Sequence, residues 1–274
     1  AADASRTAAL RSCKVSIEES SQFASALLLC AKIGNWKIEV VGENAEESPY
    51  VAMTSKLMEA FPKNGGTFQI EPDASSGSYF WAADHLLSVE KYSINVKDWV
   101  GLTLQSGYQI DANFINYLPP AGQPLPTISR KNNLADSIMT ATVIAPLSAY
   151  AGTFTDLGRL RLQETERVVA LRTELTKCGA KVVEEGDTLT VYPSKLEELH
   201  GAEIETYNDH RMAMCFAILG LKVPGIKIKN PACVKKTFPN FFQKLAASPP
   251  HGLGATILDA KSGRKLTHEE LFAD

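Results

Sequence analysis

The sequence predicts an α/β protein, on three observations. Stretches with helical spacing of apolar residues alternate with short stretches of period two. Several of the strand-like stretches come in pairs. Acidic or hydroxyl residues stand just ahead of the helical stretches, where a side-chain oxygen can cap free N–H groups.

Ser20 to Ile33 reads as a helix, with Ser20 and Ser21 as caps ahead of Phe23, Ala26, Leu27, Leu28 and Leu29. Trp36 to Val41 alternates like a strand, and Pro49 to Phe61 places Tyr50, Met53, Leu57, Met58 and Phe61 on one side of a second helix. Lys63-Asn64-Gly65-Gly66 is a turn and Thr67 to Ile70 a short strand. Ala74 to Leu87 is a helix and Tyr92 to Val96 a strand. From Gly101 to Asn133, with Pro119, Pro120, Gly122, Pro124 and Pro126, the pattern predicts irregular chain.

Ala135 to Leu147 then predicts a helix with Asp136 in its first turn. Glu164 to Cys178 predicts another, closed by Gly179. Strands follow around Lys181–Val183 and Thr188–Tyr192, joined by Glu185-Gly186-Asp187. The tail of the pattern is helix Arg211–Leu221, strand Gly225–Lys229 and helix Phe238–Leu245. Residues 249–274 open on Pro249-Pro250 and end near Thr267-His268-Glu269-Glu270, a small capping box. Acidic helix starts at Asp73, Asp136 and Asp209 suggest a unit recurring every 60 to 75 residues or so.

Hydrophobic residues at 45% and charged residues at 22% describe a globular chain with material for a core, over 274 residues. A net charge of −3 gives no basis for nucleic-acid binding or attraction to membranes. There is no apolar run long enough to span a bilayer, and Ala1 to Arg6 lacks the apolar centre of a secretion signal. The five cysteines are an odd number without a CxxC pair, which favours reduced thiols, and the five histidines show no metal-ligand spacing.

The densest chemistry is Tyr207-Asn208-Asp209-His210-Arg211: amide, carboxylate, imidazole and guanidinium at the mouth of an apolar helix. Such a mouth attracts anions, because its N–H groups are unpaired and its dipole end is positive. Capping by Asn208 or Asp209 is the plainer reading. Ser20-Ser21-Gln22 offers hydroxyls and an amide for a phosphate, though taken alone ordinary capping is the simpler explanation. Asp136 alone is a cap or a base. Gln163, Glu164 and Arg167 share a helix side by spacing, as ion pairs facing solvent or as a site. Lys222 to Lys236 holds five lysines and no acid; Lys227 and Lys229 face water, whereas Lys236 can face an anion. Cations Arg167, Arg211 and Lys236 with acids Asp136, Glu164 and Asp209 suit proton transfer on polyanionic small molecules.

In chain order, Ser20-Ser21-Gln22-Phe23, Asp73-Ala74-Ser75-Ser76-Gly77-Ser78-Tyr79-Phe80, Gln163-Glu164-Thr165-Glu166-Arg167, Tyr207 to Met214 and Lys236-Thr237-Phe238-Pro239 resemble the 5-enolpyruvylshikimate-3-phosphate synthase family. The likeness covers residues 15–90 and 133–246. It implies pseudo-threefold βαβαββ repeats, an inside-out α/β barrel of the enolpyruvyl transferase type, with the N-terminal domain incomplete. By this likeness residues 1–70 are a remnant of the N-terminal, shikimate-phosphate-binding domain, 71–248 form the C-terminal domain and 249–274 an extension.

The implied reaction moves the enolpyruvyl group of phosphoenolpyruvate to the 5-hydroxyl of shikimate 3-phosphate, without metal or cofactor, in the cytoplasm (or the plastid, for a plant chain). The resemblance implies Asp136 as the base and Glu164 as the group exchanging a proton with the methylene carbon. It places Ser20, Ser21, Gln22, Ser48, Asp136, Arg159 and Gln163 on shikimate 3-phosphate, and Gln22, Arg167, Arg211 and Lys236 on phosphoenolpyruvate. Asp209 and His210 support them. Partners would be those two substrates and a missing N-terminal segment or complementary chain, with no nucleic acid and no membrane. Two departures stand out: Gln163 replaces a family lysine and Arg159 a family asparagine. A degenerate homologue that binds phosphate ligands without catalysis is the alternative.

Overall fold

A computed structural model describes residues 10–42, 48–87, 94, 96, 99, 107–118 and 124–274. They fall into two compact units, one drawn from Ala1–Glu71 with Val100–Ile110, the other from Pro72–Trp99 with Asp111–Asp274.

The smaller unit follows the predicted order. Strand β1 (Arg11–Ser16) pairs in parallel with β2 (Trp36–Val41), Arg11 opposite Trp36. Between them runs helix α1 (Ser21–Gly34). The Ser20 side chain accepts a hydrogen bond from the Gln22 N–H at 3.2 Å, so it caps α1, and Asn35 closes the helix in the left-handed region at φ 53°. Helix α2 (Pro49–Ala60) starts after Ser48 on a proline, whose missing N–H is no loss at a first helical position. Ile17, Ala24 and Val51 form a small core under Val15, Leu28 and Val40. The strand expected over Thr67–Ile70 does not form. Phe68 packs edge-on against Phe61 instead, and Ile70 is exposed.

The larger unit is built on helix α4 (Ile138–Ile144), every residue of which is buried. A mostly apolar helix buried on every side belongs in a core, and its Thr142 hydroxyl is satisfied by donating to the Ile138 carbonyl at 2.8 Å. The 3-10 turn Ala145–Leu147 prolongs it. Helices α3 (Ala74–Leu87) and α6 (His210–Leu219) pack on it, and the Ser78 and Thr140 hydroxyls meet at 2.9 Å. A four-stranded sheet has the order β3 (Ile128–Ser129), β4 (Gly152–Thr155), β6 (Thr188–Val191), β5 (Val182–Glu185). Its β3–β4 pair is parallel and the rest antiparallel, with the β5–β6 hairpin turning on Gly186 at φ 55°. Helix α5 (Arg167–Lys177), the parallel pair β7 (Glu203–Ile204) and β8 (Lys227–Ile228), and helix α7 (Phe241–Ala246) complete it.

Three expectations are corrected here. Helix α5 begins at Arg167, not Glu164, because the Glu166 carboxylate caps the Val169 N–H at 2.6 Å and fixes the start. The stretch expected to be irregular contains the 3-10 turn Ile110–Tyr117 and strand β3; Asp111, Ala112 and Phe114 are buried there, with Phe114 stacked on Trp81. Asp136 caps no helix through its side chain, since its carboxylate is turned to guanidinium groups. Most of the strand expected at Tyr92–Val96 lies outside the described residues.

Candidate active site

Asp136 sits just ahead of α4, so the core helix fixes it in place. Its carboxylate is almost fully buried and is met by three guanidiniums. Arg130 Nη2 donates at 2.7 Å, Arg211 Nε lies 3.5 Å away and Arg167 Nη1 3.8 Å away. The Gln163 amide donates at 3.4 Å. Burial pushes the Asp136 carboxyl up, but the charges of Arg211, Arg130 and Arg167 outweigh it and hold the group well below the usual carboxylate range. Asp136 is therefore an ionised acceptor.

Arg167, at the first position of α5, is 1% exposed. Its Nε and Nη2 take Asp209 at 2.6 and 3.2 Å, Nη2 also takes Glu164 at 2.7 Å, and Nη1 donates to Gln163 at 2.5 Å. Burial works against its charge, yet the hydrogen-bonded Asp209 raises its pKa all the same. Glu164 then reaches outward to Lys236 Nζ at 2.5 Å. Burial raises the Glu164 carboxyl, and Lys236 and Arg167 more than reverse this, so it too is lowered. The pairs predicted between residues 163, 164 and 167 thus form, but from a loop and not along a helix.

Asp209 caps α6 by accepting from the Arg211 N–H at 2.8 Å. The turn before it is unusual: Tyr207 and Asn208 both lie in the left-handed region, at φ 53° and 57°. Two such non-glycine residues in succession hold strain. Fully buried Glu174 of α5 pins the turn, accepting from the Tyr207 hydroxyl at 2.8 Å and the Glu205 N–H at 3.1 Å. Arg211 is steadied by the Tyr79 hydroxyl at 3.4 Å and the Ser75 hydroxyl at 3.3 Å, both on α3. His210 is buried, with Nδ1 lacking a hydrogen-bond partner among the described residues. Burial and the positive charge of Arg211 push it down to about 4, so the ring is neutral near pH 7.

The structure therefore brings Asp136, Glu164, Arg167, Arg211 and Lys236 into one network, with Asp209 and Gln163 inside it. Around Asp136, Glu164 and Asp209 stand four cations, an excess of positive charge suited to an anion. Arg159 stands near Arg130; burial and then that neighbour's charge lower its pKa. Ser20, Ser21, Gln22 and Ser48 belong to the other unit, where Ser20 serves as a helix cap. A cavity of about 500 Å³ in that unit is lined by Cys13, Leu27, Cys30, Ile33, Trp36, Ile38 and their neighbours, and none of the charged residues named above contributes to it.

Arg130, Ser75, Tyr79 and Glu174 were absent from the expected site. Ser75 and Tyr79 lay within a motif already singled out. Arg130 gave no signal, since a lone arginine in a proline-rich stretch reads as surface.

Among the described residues, no group of three or more His, Cys, Asp or Glu side chains is placed to hold a metal ion, and no helix is long and apolar enough to cross a membrane. By fold the chain is an inside-out α/β protein. It superposes on two structures of EPSP synthase from Acinetobacter baumannii with TM-scores of 0.56 and 0.54, at 20% identity, over 86% of this chain and 62% of those.

The family model for EPSP synthase (3-phosphoshikimate 1-carboxyvinyltransferase) matches residues 62–245, and the chain belongs to that family. Among curated proteins it is 35% identical to the 3-phosphoshikimate 1-carboxyvinyltransferases of Nostoc punctiforme and Sodalis glossinidius, over 82% and 83% of its own length. It spans 59% of the length of each of these relatives.

Proposed function

We propose that the chain serves the transfer of the enolpyruvyl group from phosphoenolpyruvate to the 5-hydroxyl of shikimate 3-phosphate. The observation that carries this reading is the ionised Asp136 carboxylate among three guanidiniums, one residue network away from Glu164 and Lys236.

In this reading Arg167, Arg211 and Lys236 hold the carboxylate and phosphate of phosphoenolpyruvate. Asp136 takes the 5-hydroxyl proton as that oxygen bonds to the central carbon of phosphoenolpyruvate. Glu164 takes up a proton from solvent and passes it to the methylene carbon, making it a methyl group. It then removes a proton from that methyl as the carbon–oxygen bond to phosphate breaks, restoring the double bond and releasing inorganic phosphate. Gln163 and Arg159 hold shikimate 3-phosphate; by the family resemblance Ser20, Ser21, Gln22 and Ser48 are further ligands of it, and Gln22 also of phosphoenolpyruvate. Asp209 aims Arg167, and His210 stays neutral behind them. A further segment, such as the longer relatives contain, completes the set of ligands.

A second reading, binding without turnover, is favoured by Gln163. Its neutral amide stands where the resemblance calls for a lysine, and its oxygen is taken by Arg167. Calorimetry with shikimate 3-phosphate, followed by phosphate release from phosphoenolpyruvate, separates the two. Binding with release supports transfer. Binding without release, even when the longer relatives' N-terminal part is added as a separate polypeptide, supports the second reading. Absence of both sinks each of them.

A further inference from the structure

The family match ends at residue 245, yet the chain beyond it is folded onto the part that carries Lys236. After α7 the backbone doubles back along that helix: the Gly254 N–H donates to the Ala247 carbonyl at 2.8 Å and the Ala255 N–H to the Leu245 carbonyl at 2.9 Å. A hairpin follows, with Leu258 bridged to Lys265 and the Leu266 N–H donating to the Ile257 carbonyl at 3.0 Å. Arg264 then grips Glu270 with two bonds of 2.9 and 2.7 Å, and Glu270 also accepts from the Thr267 N–H at 2.8 Å. This closes the capping box over the 3-10 turn Glu269–Leu271.

That turn delivers two anchors. The Leu271 and Ala273 side chains are buried in the main core. The Ala273 N–H donates to the Pro239 carbonyl at 2.9 Å, and Gln243 of α7 donates to the His268 carbonyl at 2.8 Å. Pro239 lies three residues beyond Lys236. The stretch between them is bound by its own short-range hydrogen bonds, from the Thr237 and Phe238 N–H groups to the Val234 carbonyl at 3.2 and 2.9 Å. The Phe238 ring packs edge-on against Phe241 at 5.6 Å. A displacement at Pro239 therefore passes directly to the backbone that carries Lys236.

We propose that residues 249–274 are a brace that sets the position of Lys236, with Leu271 and Ala273 as positioning residues. The importance of that position rests on the reading of Lys236 as a ligand of phosphoenolpyruvate. The segment does not touch Glu164 or the arginines through any bond described above; its leverage is on one cation only.

The test compares the parent chain with Ala273→Pro and with a chain ended after Ser248. Phe272 already has the extended backbone that a following proline requires, and Ala273→Pro removes the N–H donor while adding ring carbons at a buried position. Ala273→Ser, which keeps the N–H, is the conservative control. Amide exchange at Phe238 and Phe241 should quicken about tenfold in Ala273→Pro and more in the shortened chain, while α4 amides stay unchanged. Phosphoenolpyruvate, titrated by calorimetry, should bind about five- to tenfold more weakly to both, with Ala273→Ser like the parent. Unchanged exchange at Phe238 and Phe241 overturns the brace. Faster exchange with unchanged affinity overturns its role in placing Lys236. If the parent binds no phosphoenolpyruvate even with shikimate 3-phosphate and the longer relatives' N-terminal part added, the proposed function fails, and the brace is then judged on acetylation of Lys236 followed by mass spectrometry. A faster reaction in Ala273→Pro supports the brace and an equal rate overturns it.

Discussion

Arg167 and Asp209 meet side-on in the interior, Nε to Oδ2 at 2.6 Å and Nη2 to Oδ1 at 3.2 Å, with neither side chain open to solvent. The pair ties the first residue of α5 to the cap of α6, so two helix starts are fixed by one contact. Breaking a buried ion pair on one side leaves the other charge stranded, typically at 3–5 kcal/mol. Asp209→Asn should therefore lower unfolding free energy by about 3 kcal/mol in urea titration. A change under about 1 kcal/mol would mean that Glu164 and Asp136 suffice to hold Arg167.

Asp136→Asn keeps the shape and removes the proton acceptor. Phosphate release should fall by at least about 10²-fold, the usual contribution of a positioned base. Affinity for phosphoenolpyruvate, read by calorimetry, should change far less. Release at near-parent rate would remove Asp136 from the proposed chemistry.

Arg211→Ala should weaken phosphoenolpyruvate by about tenfold to a hundredfold, as expected for one charge-assisted contact of roughly 1.5–3 kcal/mol. Calorimetry checks it, and equal affinity in mutant and parent would place Arg211 outside the binding set.

Gln163→Lys puts an ammonium beside Asp136 and removes the acceptor used by Arg167. Turnover should rise, with a loss of stability on the order of 1 kcal/mol from the missing hydrogen bond. Phosphate release and a urea midpoint on the same preparation test both halves. Unchanged turnover favours binding without catalysis.

Acid should destabilise the chain in two steps. His210 is lowered to about 4 in the folded state, so below its usual 6.5 or so the unfolded chain binds the proton first. Its contribution is complete above that value and shrinks as pH falls toward about 4. Asp136 and Glu164 are lowered from ordinary carboxylate values, so their contributions are present at neutral pH and lost only in stronger acid. Urea unfolding should show falling stability between pH 6.5 and 4.5 or so, and His210→Gln should flatten that part of the profile. An unflattened profile would assign the loss to other groups.

Most helices could be read from the sequence because their signals are local. Ser20, Pro49, Asp209 and Gly179 each mark an end, and the caps at Ser20 and Asp209 form as residue type suggests. The start of α5 was misplaced because Glu164 and Glu166 are equally good caps on paper, and only the folded geometry gives Glu166 the Val169 N–H. Thr67–Ile70 has strand composition without pairing, and pairing is a long-range property. The site was legible where motifs are dense, around residues 163–167 and 207–211. Arg130 was not, because its role depends on β3 delivering it to Asp136, and nothing in the adjoining prolines encodes that.

The left-handed pair Tyr207–Asn208 also sets a limit on improving this molecule. A glycine at position 208 would adopt the same backbone with less strain, although it would loosen the unfolded chain as well. Whatever robustness it brought would come from relaxing the hinge that aims Asp209, and through it Arg167 and the Arg211 amide. Attempts to harden this chain against heat should therefore begin elsewhere, since here toughness and marksmanship pull in opposite directions.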